Sequence, residues 1–389
     1  MKRRIYSTFA VAALLTSLIG GAAWSADLTS VTEPQVQSEI GTLSGGFLAD
    51  SCTSVRARLP QLRKEKFRHV GCLKLNNVEA VQELPSSRKT AQNSAPSTRA
   101  SAASLCVLSG NWQGSRFEMC GGGHAELDWM DPTTGGLIGA AQFEVTQHLV
   151  LDAQSRNFTE DFSIKTTATA GVLTGASLNL AVSCDATCSA TNNFPQGAPI
   201  TSGSTVSATI NYTDSTNAVH LGETSYSLSW GQGTATPVDW KAPNFRCDNV
   251  QAGFPAGCVV PGIRPVMTSM ATLPNIRANI QRIQGAGTLH YGRAAGGEPL
   301  TRNSDAANGN RAAVCAKQTS PDPGVVSCDE YPFATTDQGG AKVLPPNSGF
   351  AWVPVAEQQS QSGLITAFYR SARVLSGPDE TGDAFWVAV

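Results

Sequence analysis

Charge is scarce in this chain. Asp, Glu, Lys and Arg supply 15% of its 389 residues, and the formal net charge is -2. That balance argues against a nonspecific polycationic nucleic-acid binder, although a local basic cleft stays compatible with it. Long apolar runs are missing too. A membrane-spanning helix needs about 20 consecutive apolar residues, and no segment after the first 26 residues supplies them. No histidine or second cysteine pair follows Cys184-x3-Cys188 at finger spacing, which speaks against zinc. Between residues 105 and 245 there is no useful length of helix-period apolar repeat. What is plentiful is glycine (37) and proline (21), a balance that suits a β-rich, loop-rich secreted protein.

The N-terminus has the form of a secretory signal peptide. Lys2, Arg3 and Arg4 precede a short apolar run, Phe9 to Ile19, and small residues follow before Trp24-Ser25-Ala26. Residues 1-26 are therefore expected to be removed. Without the three leader cations the charge falls to about -5, and the product is expected to be secreted, extracellular or periplasmic, with no membrane attachment. Ten cysteines remain, an even number for an oxidising compartment. They fall in neighbouring pairs, which predicts five local disulfides: Cys52/Cys72, Cys106/Cys120, Cys184/Cys188, Cys247/Cys258 and Cys315/Cys328.

Length favours two or three domains. Residues 27-82 form a small N-terminal segment whose basic run, Arg56 to Arg68, reads as a solvated helix face or, less simply, a phosphate contact. Residues 83-104 are rich in Ser, Thr and Ala, bury almost nothing and read as a linker. Residues 105-245 alternate. Phe143, Val145, Leu149 and Leu151 share one face, with Gln147 as the exception; Phe162 and Ile164, Leu178 to Cys184, Val206 to Tyr212 and Tyr226 to Trp230 repeat the pattern. Such period-2 runs split by turn residues predict an all-β, sandwich-like domain. Its histidines, including His124 after three glycines, form no defensible catalytic group.

Residues 246-389 change character. Ile276, Ile280 and Ile283 are at helical spacing after Pro274, Asn308-Gly309 signals a turn, and Ile365, Phe368, Tyr369 and Ala372 predict a helix over about 360-372. Between them lies Cys328-Asp329-Glu330-Tyr331-Pro332-Phe333. Adjacent carboxylates in a strand point to opposite faces, so they do not form a simple metal-sharing pair. From the residues alone, an acidic dipeptide before Tyr-Pro is more often a turn or a structural salt bridge. Phosphodiester cleavage, however, needs a base, a cation and phosphate-holding arginines. Asp329 and Glu330, the oxygen-bearing Glu357, Gln358, Gln359 and Gln361, and Arg302, Arg311, Arg370 and Arg373 are candidates for those parts. From Arg246 onward, nine of the eleven basic residues are arginine.

Ser327-Cys328-Asp329-Glu330-Tyr331-Pro332-Phe333-Ala334 resembles the core motif of the NucA/NucB family of secreted bacterial deoxyribonucleases. Leu300-Thr301-Arg302, Arg311 ahead of Cys315, Trp352-Val353-Pro354, Phe368-Tyr369-Arg370, Arg373-Val374-Leu375 and Gly382-Asp383-Ala384-Phe385 follow the family's order over roughly residues 265-389. The resemblance implies an α+β nuclease domain similar to the ββα-metal nucleases, with an aspartate where those carry a catalytic histidine. It implies Asp329 as general base, with Glu330 and Arg311 beside it. It further implies metal ligands (for Mg2+ or Mn2+) at Glu357 and Gln358, where the family's pattern is Glu-Asn; Arg302, Arg370 and Arg373 stay the expected phosphate contacts from their residue type. The expectation is a multidomain, secreted, metal-dependent, nonspecific endodeoxyribonuclease with DNA as substrate and no stable protein partner. The alternative is an extracellular binding or adhesion protein with an inactive nuclease-like domain. A polysaccharide-active enzyme fits less well, because adjacent carboxylates on opposite strand faces do not flank one bond. Peptide mapping without reduction is expected to recover the five local disulfides; a free thiol at Cys315 or Cys328 contradicts the pairing.

Overall fold

Alternation decides the middle of the chain. In the computed structural model the strand Leu137–Asp152 buries every second side chain over most of its length, and Thr224–Trp230 does the same. The described residues are 37-39, 41-46, 49-76, 108, 110-231, 237-378 and 382-389. The expected leader (1-26) and the linker (83-104) lie outside them. The molecule is mostly β, with a curled antiparallel sheet in the middle and an α+β C-terminal region.

The cysteines follow the expected pairing at four of five places. Cys52–Cys72, Cys184–Cys188, Cys247–Cys258 and Cys315–Cys328 are disulfides. The fifth expectation, a bond between Cys106 and Cys120, differs from these, because Cys106 lies outside the described residues and the pair is not placed. Cys120 itself is described. It is buried on the strand Glu118–Met130 and is disulfide-bonded.

Leu137–Asp152 and Ser155–Gly171 form a long hairpin at the centre of a nine-stranded sheet, flanked by Glu118–Met130 on one side and Thr205–Asp214 on the other. A four-stranded sheet containing Ser177–Cys184 and Thr224–Trp230 shares its core, where Phe143, Phe162, Leu180, Ile210, Leu228 and Trp230 are buried. The N-terminal segment is built into this body. Val70–Asn76 pairs with Glu118–Met130, and helix α1 (Cys52–Lys64) packs beside it through the Cys52–Cys72 disulfide. At the other end, Phe245, Cys247, Cys258, Val260 and Ile263 join the same core, so the expected boundary at 246 falls inside it. Phe245–Asp248 pairs with Val219–Gly222 and with Gly257–Val259, and Cys247–Cys258 ties the loop between its two strands. Gly257 presses against the hairpin turn so closely that a Cβ there would lie 2.1 Å from the Ala153 carbonyl oxygen.

The C-terminal region has its own apolar cluster. Helix α2 (Pro274–Ala286) starts on its proline and buries Ile276, Ile280 and Ile283 at the expected spacing. The polar stretch after Arg302 differs from its expected turn: Asn308 and Gly309 lie in helix α3 (Ala307–Val314), where Asn310 is anchored on the carbonyls of Ala334 and Thr336. Helix α4 (Val355–Ser371) begins five residues before the expected start at 360, directly after Pro354. Its end is a Schellman motif: Val374 N–H bonds the Tyr369 carbonyl and Arg373 N–H that of Arg370. The left-handed position usually given to glycine there is occupied by Arg373, with φ +47. A sheet unites both ends of the described chain. Its order is Gln37–Ser38, Pro265–Met267, Ala384–Val387, Leu300–Thr301.

Arginines cross between the two clusters. The fully buried Arg373 donates to both oxygens of Asp248 and to the carbonyls of Ala153 and Pro255. Arg116, also buried, donates to Asp383 at 2.9 Å and to the carbonyls of Ala372, Arg373 and Ile263. Arg246 reaches the same Asp383 at 2.6 Å.

Gln147, the polar residue on the apolar face of its strand, has a partner there. Its amide donates to Glu160 Oε1 at 2.6 Å, and its carbonyl accepts from Trp240 at 2.7 Å. Tyr212 and Tyr226 donate to the other Glu160 oxygen at 2.5 and 2.8 Å. Burial pushes the Glu160 carboxyl from 4.5 up to about 7, against those three donors. The folded state therefore holds a proton that the unfolded chain releases. The resulting stabilisation is complete below about pH 4.5 and is lost as pH rises through about 7, a span of about 3 kcal/mol. Denaturant titrations from pH 4.5 to 7.5 are expected to show that loss in the wild type relative to Glu160→Gln, whose neutral amide removes it.

Candidate active site

The acidic dipeptide lies on the strand Val326–Tyr331, paired antiparallel with Gly349–Pro354, which runs straight into α4. Strand alternation sends the two carboxylates apart. Asp329 turns toward α2 and α4. Its Oδ2 accepts from Asn279 Nδ2 at 2.9 Å and its Oδ1 from Gln361 Nε2 at 2.8 Å. Glu330 turns toward α3, where Arg311 donates to it at 3.0 Å. The Cys315–Cys328 disulfide ties the end of α3 to the same strand, with Cys315 Sγ 3.1 Å from Glu330 Oε2. Those sulfurs are oxidised and carry no thiolate, so the cluster of Cys315, Cys328 and Glu330 is not a metal site.

Burial pushes the Asp329 carboxyl up to about 6; the Asn279 and Gln361 amides pull it back, and neighbouring Glu330 adds a smaller upward push. Glu330 is also raised by burial, with Arg311 opposing. Both carboxylates are nearly inaccessible, at 1% and 6% exposure, but only Glu330 lines the adjoining cleft of about 730 Å³. Asp329 is screened from that cleft by Gln361, which does line it.

The amide orientations follow from the carboxylate. Asp329 accepts, so Gln361 must present its NH2 to it and its carbonyl to Gln358, which donates at 2.9 Å. Gln358 Oε1 is then left buried without a partner among the described residues. Gln358 and Glu330 both line the cleft. An amide oxygen and a carboxylate are both hard oxygen donors.

The other expected site residues divide. Arg302, Arg311 and Arg370 line the cleft. Arg302 stacks on the Tyr369 ring with its guanidinium carbon 4.4 Å from the ring centre, and it bonds the Val374 carbonyl. Two expectations need correction. Arg373 is not a phosphate contact, because it is 0% exposed and bound up with Asp248. Glu357 is not on the cleft wall. Its carboxylate caps α2, accepting from the backbone N–H of Asn275 at 3.0 Å and of Ile276 at 3.2 Å, where helix N–H groups lack partners. Asn279 escaped the sequence reading. Its signal was a polar side chain three residues after Ile276, on the inward stripe of α2.

Glu330 and three arginines thus share one cleft, with Asp329 buried behind it. Residues 277–385 match the family model Deoxyribonuclease NucA/NucB, in agreement with the resemblance of the C-terminal region. No curated protein and no solved structure matches the chain. Asn279→Ala removes a donor to the ionised Asp329, so its pKa is expected to rise further above 6. Carbon-13 NMR titration of the side-chain carboxyls measures this; an unchanged or lower value rejects the hydrogen bond's role.

Proposed function

We propose that this chain is a secreted, metal-dependent, largely sequence-nonspecific endodeoxyribonuclease whose ββα-metal-like site is the Val326–Tyr331 strand, its partner strand and α4. The observation that carries the reading is the cleft shared by Glu330, Gln358, Gln361, Arg302, Arg311 and Arg370, within the residues that match the deoxyribonuclease family. Asp329 acts as the general base. Its raised proton affinity makes it a better acceptor than an ordinary carboxylate while leaving it ionised at neutral pH. Gln361 moves off Oδ1 to let water reach it. Arg311 holds Glu330 in place, and Arg302 and Arg370 bind the phosphates on either side of the bond that breaks. Glu330 and Gln358 would hold a divalent cation, which would supply positive charge to the phosphate oxygens. The β body, whose core runs on to Ile263, and the small N-terminal segment hold this site in shape. Four disulfides support an oxidising compartment, and no helix among the described residues is long and apolar enough to cross a membrane.

One observation favours a second reading, an extracellular binding or adhesion protein with an inactive nuclease-like domain: both Asp329 oxygens are bonded and the group is sealed behind Gln361. Plasmid degradation by the mature protein separates the two. The wild type is expected to cleave with Mg2+ or Mn2+ and to stop with EDTA, and Asp329→Asn is expected to lose at least about a hundredfold in rate. Intact plasmid across a metal series rejects the enzyme. Cleavage that survives Asp329→Asn but not Glu330→Gln transfers the base to Glu330.

A further inference from the structure

The cleft is not built by the nuclease-family region alone. Val219, Val250, Gln251 and Ala252 line it, and all four precede residue 277, where the family match begins. They come from the β body. Val219 sits on the strand Val219–Gly222, paired with Asp248, and the other three are on the loop after Phe245–Asp248.

That loop is held firmly. Cys247–Cys258 closes its root, Asn249 N–H bonds the Ala218 carbonyl, and Phe254 N–H bonds that of Gln251. Arg373 grips it at Asp248 and at the Pro255 carbonyl. Gln251 then pins it to the last turn of α4, its Nε2 donating to the Tyr369 carbonyl at 3.2 Å. Because that acceptor is a carbonyl, the amide orientation is settled, and Gln251 Oε1 is left buried with no partner among the described residues.

The chemistry of the lip contrasts with the rest of the cleft. Val219 and Val250 are 49% and 50% exposed and stand beside a site lined by Arg302, Arg311 and Arg370. Arginines suit phosphates. Valine faces do not, but their apolar surface suits the face of a nucleobase. Stacked duplex DNA keeps its base faces covered and presents phosphate and sugar outward. Only an unstacked base can lie against these valines.

We propose that the Val219/Val250/Gln251 lip is a base-binding subsite that selects an unpaired nucleotide next to the scissile phosphate, so that single-stranded DNA is the preferred substrate. The proposal rests on the nuclease reading above, and its experiment separates the two. The full mature protein with Mg2+ is given one labelled oligonucleotide, alone and annealed to its complement, and kcat/KM is measured for each. The wild type is expected to favour the single strand by about tenfold, the scale set by covering two half-exposed valine side chains. Val219→Asp/Val250→Asp is expected to shrink that ratio to about threefold or less by placing charge where the base packs. Both side chains are half-exposed, so folding is expected to survive, and a thermal melt checks it. Val250→Trp enlarges the stacking surface and is expected to raise the ratio, an outcome that misfolding cannot produce. Equal rates on both forms by the wild type, or a ratio unchanged in all variants, overturns the subsite and leaves the nuclease standing. Cleavage of neither form overturns the nuclease reading, and the subsite with it.

Discussion

Three arginines and two aspartates, buried together, hold this molecule in one piece. Arg116 and Arg246 converge on Asp383, and Arg373 closes on Asp248. Placing such charges out of water is costly unless every donor finds an acceptor, and removing one member leaves its partner exposed to the full penalty. Here backbone carbonyls of Ala153, Pro255, Ile263, Ala372 and Arg373 take many of the remaining donors, while Arg246 Nε has only an ion-pair contact, 3.5 Å from Asp248 Oδ2. Burial lowers the Arg116 pKa to about 10, still far above neutrality, so the guanidinium stays charged. Burial alone would raise Asp383, but Arg116 and Arg246 outweigh it and hold it below the usual carboxylate range. Guanidinium is suited to this role because its planar fork bonds several acceptors at fixed angles. Arg373 shows how strongly the cluster is determined. It accepts a left-handed backbone conformation, unfavourable for any side chain with a Cβ, as the cap that ends α4.

The cleft inherits its shape from that cluster. α4 enters it carrying Gln358 and Gln361 and leaves it into Arg373, so the end of the helix that meets the β body is fixed in the same place as the loop bearing Gln251. The acidic strand is fixed from the other side, by Asn279 of α2 and by the disulfide to α3. Two neighbouring carboxylates thereby occupy different surroundings, one among amides and one beside a guanidinium. That separation of environments is how one protein gives two acids two roles.

Much of this was legible from residue order. Period-2 alternation located the strands around Phe143, Leu180 and Leu228, because a half-buried strand must alternate. Ile276, Ile280 and Ile283 located α2. The opposite facing of Asp329 and Glu330 needed only the strand period. Cysteines close in sequence paired as neighbours at four places, while Cys120, which is disulfide-bonded, has its expected partner Cys106 outside the described residues. What escaped were long-range partnerships. Nothing local says that Arg373 belongs with Asp248 rather than with a phosphate, or that Glu357 faces the start of a helix more than eighty positions earlier. Asn308-Gly309 carries a turn signal, but Asn310 is held on the segment carrying Ala334 and Thr336, and this tertiary anchor accompanies a helix there. Gln147 looked like a break in the pattern because its partner, Glu160, is on the next strand.

The sheet that joins Gln37–Ser38 to the C-terminal region has its last strand in chain order, Ala384–Val387, in its interior. Asp383, the carboxylate that Arg116 and Arg246 share, immediately precedes it. The middle β body can complete its hairpins as they emerge, since most of its neighbours are close in sequence. The nuclease-like region cannot: until residues 383-387 arrive, its sheet has a gap and two buried arginines lack their counter-charge. Assembly of the cleft is thus a closing event, delayed until residues 383-387 are free to pair.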